Sequence, residues 1–350
     1  MVAQQIRIDN GKRAREGKHQ RSVHSTPKED TVAINDIGRK HNDIDYKKGI
    51  IWDRCDEGRE TGHRYIAIYA HEMSRMQEIV LLRLARFGDS LWLRTLDGKD
   101  HLWPQYAWAD EHHFHQLQAL LPCLQHRRPK RVLILGGGDF LAAWRATMVK
   151  SVEHAKIADW DPRLSELVLK HQPWVEATGT HKRVEWGEPV DVRKFLPRNQ
   201  DEQWDVIIGD LTDLTAMNTL VPDFAEHVFR ILKPGGVFST QAGSLSVAPG
   251  STHGLRDGIA ALKKAFRVGT KNGGRVEVLW WPIESFSYPQ AFVQAWKEQR
   301  MLPACPTAQT IWRRCSVTEL KSDRPFLNAE IAARAFAVPL EFQRWLGLAS

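Results

Sequence analysis

Apolar and polar residues change their rhythm along this chain in a way that separates two kinds of structure. From Arg64 three short runs, Tyr65-Ile-Ala-Ile-Tyr69, Glu78-Ile-Val-Leu-Leu-Arg83 and Ser90-Leu-Trp-Leu-Arg94, half-alternate between apolar and polar side chains. Turn residues such as Gly88-Asp89 and Asp97-Gly98 separate them, and this pattern predicts a small antiparallel β unit. Glu111 to Leu121 then reads as a helix. Beyond it, apolar runs at Arg131–Gly136, His154–Trp160, Arg183–Gly187, Trp204–Asp210 and Gly236–Gln241 alternate with amphipathic stretches at 140–150, 162–172, 222–232 and 252–266. Strand and helix in alternation predict an α/β fold with a doubly wound, mostly parallel sheet. The third of these helices is closed by Lys233-Pro-Gly-Gly236, which cannot continue it. Arg275–Trp281 and Ala291–Trp296 lie close together in the chain and predict an antiparallel hairpin at the sheet edge. The expected division is a basic, disordered tail over 1–47, an N-terminal β domain over 48–115 and a Rossmann-like nucleoside-binding domain over 116–350.

Composition adds few surprises. The chain has 350 residues, 42% of them hydrophobic, enough to bury a sizeable core. No run of about 18 or more apolar residues is present to span a bilayer, and the opening residues lack the apolar core of a secretory signal. The expectation is a cytoplasmic protein with no membrane partner. Cys55, Cys123, Cys305 and Cys315 form no C-x-x-C pair, so the pattern suggests neither a zinc ribbon nor a disulfide framework. The net charge is +7, but much of it sits at Arg7, Lys12, Arg13, Arg15, Lys18 and Arg21 in the expected tail. Solubility accounts for such an arm, and a nucleic-acid partner is not expected.

The chemistry gathers where strands end. Arg131-Val-Leu-Ile-Leu-Gly-Gly-Gly-Asp139 is an apolar strand that breaks into three glycines and a carboxylate. Glycines there let a ligand approach the backbone, as in nucleotide-binding turns. A phosphate cradle gains nothing from Asp139, whereas a cationic ligand does. The dinucleotide fingerprint G-x-G-x-x-G also fails, because Leu141 holds its third glycine position. Asp159, at the end of the second strand, is placed to accept from both ribose hydroxyls, and Glu188, after the third, from an adenine amine. Asp210 and Asp213 bring two more carboxylates to the same rim. Acids without a phosphate cradle suit a sulfonium nucleoside such as S-adenosylmethionine. The Asp210/Asp213 pair suits an amine that arrives charged and must lose a proton before it attacks, with Asp210 as acceptor. The same pair also reads as ordinary loop caps. Trp160 and Trp186 either flank adenine or pack at the sheet edge. His112-His113-x-His115 lacks companion ligands, and His71-Glu-Met-Ser-Arg75 lacks the second histidine of a zincin, so no metal is expected.

From Ser74 to Leu346 the chain resembles the spermidine synthases, or polyamine aminopropyltransferases. Ser74-x-x-Gln77-x-Ile79, Leu96-Asp-Gly98 and Asp110-Glu111 with Phe114-His115-Gln116 are similar to the family's S-x-x-Q-x-I, L-D-G and D-E-x-x-Y-H-E. Gly136-Gly137-Gly138-Asp139, Asp159-Trp-Asp161, Gly187-Glu188 and Asp210-Leu-Thr-Asp213 are similar to G-G-G-D, E-I-D, G-D and D-S-S-D. Leu232-Lys-Pro-Gly-Gly236, Thr240-Gln241 and Leu327-Asn-Ala-Glu-Ile331 continue the series. The resemblance implies a methyltransferase-like Rossmann domain preceded by a small antiparallel β domain. It also implies aminopropyl transfer from decarboxylated S-adenosylmethionine to a diamine or polyamine, without a metal, in a homo-oligomer such as a dimer. On it, Gln77, Gly136, Gly137, Gly138, Asp159 and Glu188 hold the nucleoside. Asp139 meets the aminopropyl ammonium, His115 sits near the sulfonium, Asp213 and Gln241 hold the acceptor amine, and Asp210 takes its proton.

The departures gather around the acceptor and the donor tail. Phe114 replaces tyrosine, Gln116 glutamate, Leu214 proline, and Phe140-Leu141 a pair of glycines. Phe140 is expected to narrow the tail pocket, and loss of a hydroxyl and a carboxylate to weaken a site for a short dication, so the acceptor stays open. Trp103, Tyr106 and Trp108 occupy a segment longer than the family's, where they either bring aromatic faces to a cationic or flat substrate or serve as ordinary core or lid packing. Two other readings stand beside aminopropyl transfer. One is methyl or carboxypropyl transfer from intact S-adenosylmethionine, with Arg145 compensating the donor carboxylate. The other is a noncatalytic or RNA-directed binder that uses the basic tail.

Overall fold

Two sheets carry the chain, and each follows its own periodicity. The computed structural model describes residues 43–56, 59–96, 101–211, 214–245, 253–298, 306–316 and 324–348. Residues 1–42 of the expected tail, and Asp213, lie outside the described residues.

The first sheet is antiparallel throughout and runs in chain order: β1 (Ile44–Asp45), β2 (Ile50–Asp56), β3 (Arg59–Met73), β4 (Gln77–Leu84), β5 (Gly88–Thr95) and β6 (Trp103–Ala107). On β4 the side chains divide by parity. Val80 and Leu82 pack with Ile51 and Trp92 on one face, while Ile79 and Leu81 join the main core on the other. Both faces are covered, which explains why this strand is nearly continuous in apolar residues rather than cleanly alternating. One expectation needs correction. β1 lies inside the stretch read as tail, and neighbouring Asp43 is buried, pairing with Arg94 at 3.1 Å and with Arg54, and accepting from the Leu102 N–H at 3.2 Å. A buried carboxylate needs such partners, and they come from residues far along the chain that local composition cannot reveal. The aromatic segment after Gly98 supplies β6, in which Tyr106 is buried.

A helical segment, α1, spans 111–125. It consists of an α turn (Glu111–His115), a π turn (Gln116–Leu120) and a final α turn (Leu121–Gln125). The expected boundary at 115/116 therefore falls within continuous helix, because hydrophobic periodicity alone does not mark where one layer ends.

The second sheet is built from β7 (Arg131–Gly136), β8 (His154–Ala158), β9 (Val184–Glu185), β10 (Trp204–Asp210), β11 (Leu232–Ser244), β12 (Arg275–Trp281) and β13 (Gln290–Trp296). Their order is β12-β13-β11-β10-β7-β8-β9. The strands from β11 to β9 are parallel, and the β12/β13 hairpin pairs antiparallel at the edge. Helices α2 (Leu141–Thr147), α3 (Pro162–His171), α4 (Val192–Arg198), α5 (Leu214–Leu220), α6 (Phe224–Ile231) and α7 (His253–Ala265) connect them. On β7, Val132 and Ile134 join one core with α1 and α2, whereas Leu133 and Leu135 join a second with α4, α6 and α7. The chain leaves β7 toward β8 on one side, and β10 lies on the other. This reversal opens a crevice at the carboxyl ends of β7 and β10.

Asp161 ties the two sheets together. Its Oδ2 accepts from Ser74 Oγ at 2.7 Å and Gln77 Nε2 at 2.9 Å, both in the β3–β4 turn, while Oδ1 accepts from the Arg163 N–H at 3.2 Å and caps α3. Asp161→Ala removes these bonds in a buried setting and is expected to lower unfolding stability by about 2–4 kcal/mol in urea denaturation. A loss below about 0.5 kcal/mol would show that the carboxylate is not what joins the sheets.

Candidate active site

The glycine turn after β7 is shaped by its nearness to the end of β10. Gly136 pairs with Asp210 in the parallel ladder, and the Gly137 N–H donates to the Asp210 carbonyl at 3.1 Å. Gly136 has φ +82°, and a Cβ there would lie 2.1 Å from that carbonyl oxygen, so no larger residue fits. Phe140, at the start of α2, also has a left-handed φ of 70°. This is where the resembled family carries glycine. A non-glycine residue in that region costs about 1–2 kcal/mol, here offset by a fully buried ring set edge to face on Trp186 at 5.0 Å. Phe140 thus packs toward the β9 end of the sheet, and its ring is a wall beside Trp186.

The turn brings two carboxylates together. His115 on α1, Asp139 and Asp210 each present a ligand-type atom, and these atoms lie within 4.8 Å of one another. Burial, and then the nearby Asp210 charge, push the Asp139 carboxyl up to about 7. Burial also raises Asp210, against opposing pulls from His115 and from a hydrogen bond with Gln118. Burial works to lower the His115 imidazole, but Glu111 and the Asp139 and Asp210 charges outweigh it and raise the imidazole above its ordinary value. The imidazolium is therefore the counter-charge that lets the two acids coexist. Its Nδ1 faces the Glu111 carbonyl at 3.0 Å and the Glu111 carboxylate at 3.3 Å. Glu111 is in turn paired with buried Arg145 at 2.7 Å and with Arg324 at 3.1 Å; despite its burial, these cations and His115 hold it down at about 2. One nitrogen and two carboxylates at this spacing could also hold a divalent ion, although the sequence suggested no metal.

Asp210 keeps Oδ1 in a bond from Gln118 Nε2 at 3.1 Å, while its buried Oδ2 has no hydrogen-bond partner among the described residues. An acceptor held in that condition fits a ligand that brings a donor or a proton. Asp159 is engaged in bracing the turn. Its two oxygens accept from the Gly138 N–H at 3.1 Å and the Asp161 N–H at 2.8 Å, and burial raises its carboxyl to about 6.

The other expected site residues divide. Gln77 is buried and gives its amide to Asp161. Gln241 Nε2 donates to the Leu211 carbonyl at 3.2 Å and its Oε1 accepts from the Gly243 N–H at 3.1 Å, so it braces the loop after β10. Glu188 is exposed on the turn after β9, apart from the His115–Asp139–Asp210 cluster. Gln116 was expected to weaken a cation site, but it binds backbone instead: Nε2 donates to the Arg324 carbonyl and Oε1 accepts from the Leu327 N–H, each at 2.9 Å. Phe114 is core, packed on Phe286 and Phe292. Arg193 lies over the Trp160 ring at 5.4 Å. Sequence reasoning missed Gln118 and Glu111 as an electrostatic anchor; Tyr106, which it did single out, is buried and its hydroxyl bonds to Gln172. A signal for Gln118 was present: it is a lone polar residue in Leu117-Gln118-Ala119-Leu120-Leu121.

Comparison with known proteins matches residues 111–268 to the spermine/spermidine synthase domain. The matched stretch is less than half of the chain. It is similar to polyamine aminopropyltransferase 2 of Hyperthermus butylicus, 31% identical over 198 residues, covering 55% of this chain and 62% of that protein. It is also similar to the polyamine aminopropyltransferase of Saccharolobus islandicus, 34% identical over 192 residues, covering 53% and 60%. The chain thus spans about three fifths of the length of these curated relatives. Among solved structures, the spermidine synthase from Thermotoga maritima superposes with a TM-score of 0.65 at 21% identity, covering 83% of this chain and 91% of that one. The two share a fold, and the matched residues 111–268 include the whole His115–Asp139–Asp210 cluster.

The raised Asp139 carboxyl has a consequence for stability. A raised carboxyl favours the fold fully below its unfolded value of 3.8, and that contribution is lost as pH rises through about 7. Asp139→Asn cannot ionise, so its Tm is expected to exceed the parent's by roughly 3–6 °C at pH 8 and to match it near pH 4. A difference that does not change with pH would contradict this charge assignment.

Proposed function

We propose that the protein transfers an aminopropyl group from decarboxylated S-adenosylmethionine to an amine of a diamine or polyamine and releases methylthioadenosine. The observation that carries this reading is the pairing of buried Asp139 with half-buried Asp210 beside a glycine turn, with the enclosed Asp210 Oδ2 lacking a partner among the described residues. An acidic pocket of this kind favours cations, and both reactants are cations. The donor brings a sulfonium and an ammonium tail, and the acceptor brings ammonium groups.

In the proposed reaction the donor's ammonium lies at Asp139 and its adenosine lies along the turn between β7 and β8. The acceptor nitrogen first gives up a proton to Asp210. Its lone pair then forms a bond to the propyl carbon attached to sulfur, the C–S bond breaks, and the electron pair returns to sulfur as neutral methylthioadenosine. The sulfonium is already an activated leaving group, so the protein's part is to align nitrogen, carbon and sulfur and to exclude water. The raised Asp210 carboxyl suits a proton acceptor that later returns its proton. Asp213, outside the described residues, and Gln241 belong to the proposal as residues that hold the acceptor amine, and Glu188 as the partner of the adenine amine. A cytoplasmic homodimer is part of the same reading; among the described residues no helix is long and apolar enough to cross a membrane.

Transfer from intact S-adenosylmethionine is disfavoured by the position of Arg145. That guanidinium, which would have to neutralise the donor's carboxylate, is fully buried against Glu111 and lies 3.8 Å over the Trp144 ring.

Incubation with each donor and a panel of amines, followed by mass spectrometry of the nucleoside, tests the reading. Methylthioadenosine is expected, and S-adenosylhomocysteine would overturn it in favour of methylation. Asp210→Asn should lower kcat by roughly 10²–10⁴-fold with donor affinity retained. A variant turning over near the parent rate would remove Asp210 from the proton-accepting role.

A further inference from the structure

Gln118 is a polar residue at a position where packing alone calls for an apolar one. It is fully buried, and so are its neighbours Leu117, Ala119, Leu120 and Leu121. It belongs to the π turn of α1, a widened turn that departs from regular helix and recurs at functional sites. Its Nε2 donates to the Gly209 carbonyl at 3.0 Å and to Asp210 Oδ1 at 3.1 Å. Two hydroxyls hold this arrangement in place. Ser239 Oγ donates to the Gln118 backbone carbonyl at 2.7 Å, and Thr240 Oγ1 donates to the Gly209 carbonyl at 3.0 Å. Meanwhile Gln118 Oε1 is enclosed and accepts no hydrogen bond among the described residues. A buried acceptor left unpaired is costly, so leucine would serve packing better. What leucine could not supply is the bond to Asp210.

We propose that Gln118 is a positioning residue that fixes the Asp210 carboxylate through Oδ1, so that Oδ2 is the oxygen that takes the proton from the attacking amine; this rests on the aminopropyl-transfer reading. Oδ2 is left on the side of the glycine turn, where a Cβ on Gly137 would lie 3.2 Å from it. The charged groups facing Asp210 are His115 from α1, Asp139 from the turn after β7 and Asp159 from the end of β8. The two acids oppose ionisation of Asp210, and His115 favours it. Gln118 favours the carboxylate as well, and as a neutral donor it does so without adding a positive charge that would repel an incoming ammonium.

The test uses the full chain with Gln118→Leu and Gln118→Glu. For Gln118→Leu, kcat should fall about 10- to 100-fold with the donor KM unchanged. The acidic limb of its kcat–pH profile should move up by about one unit. Gln118→Glu places a second carboxyl against Asp210, so the pair must share a proton and the limb should move further. If Gln118→Leu does not fold, Gln118→Glu keeps the shape and decides by the same readouts. A slower enzyme with an unshifted acidic limb would reduce Gln118 to packing and overturn the proposal. A ¹³C carboxyl titration, with Asp210 assigned through Asp210→Asn, separates this proposal from the reading beneath it. If the parent transfers nothing to any amine, the aminopropyl reading fails, yet a raised Asp210 carboxyl in Gln118→Leu still upholds the Gln118–Asp210 coupling. An unchanged titration overturns it.

Discussion

Two carboxylates, buried Asp139 and half-buried Asp210, are held in one small space, and the architecture around them answers the repulsion this creates. They meet because β7 and β10 are neighbours and because Gly136 lets the turn pass against the Asp210 carbonyl, where a Cβ would lie 2.1 Å away. Asp210 is fixed there by its pairing with Gly136 in the ladder, and Asp139 follows in the turn three residues after Gly136. His115 supplies the nearest compensating charge, and Glu111 supports that charge from behind while being neutralised by Arg145 and Arg324. The result is a chain of alternating charges that runs from α2 through α1 to the strand ends. Its last members are the Asp139 and Asp210 carboxyls at the strand ends, whose ionisation a cation beside them would favour.

The acids of the site do different work, although all lie near strand ends. Asp161 joins Ser74 and Gln77, at the start of β4, to α3, and Asp159 accepts from the Gly138 and Asp161 N–H groups. Asp139 bonds the Leu141 N–H with one oxygen, and Asp210 is fixed by Gln118. Each reactive carboxylate is therefore anchored through one oxygen, as a preorganised site requires.

The second sheet and β3, β4 and β5 of the first were legible because their side chains obey short-range periods, whereas β1, β2 and β6 were not read as strands; the strand-end acids were legible because their place after apolar runs is read directly from order. Asp139, Asp159 and Asp210 are such cases. Contacts made across the chain were not legible. Asp43 was read as tail because nothing near it in sequence announces Arg54, Arg94 and Leu102 as partners. Gln116 was read by its missing charge, whereas the fold uses it to bind the backbone at Arg324 and Leu327, more than two hundred residues away. Phe140 was read as a bulky side chain in the tail pocket, but its left-handed backbone turns the ring onto Trp186. Backbone conformation at a single residue is set by the turn, not by composition.

The central claim is that this cluster is a cation receptor whose protons are displaced by the donor's ammonium. Calorimetric titration of decarboxylated S-adenosylmethionine near pH 7, in buffers of different ionisation enthalpy, tests it most directly. The account calls for net proton release on binding, since a cation beside Asp139 must lower a carboxyl that otherwise stands at about 7, and for weaker binding of intact S-adenosylmethionine. Binding of the intact donor at equal or greater strength, with no proton released by either ligand, would contradict it.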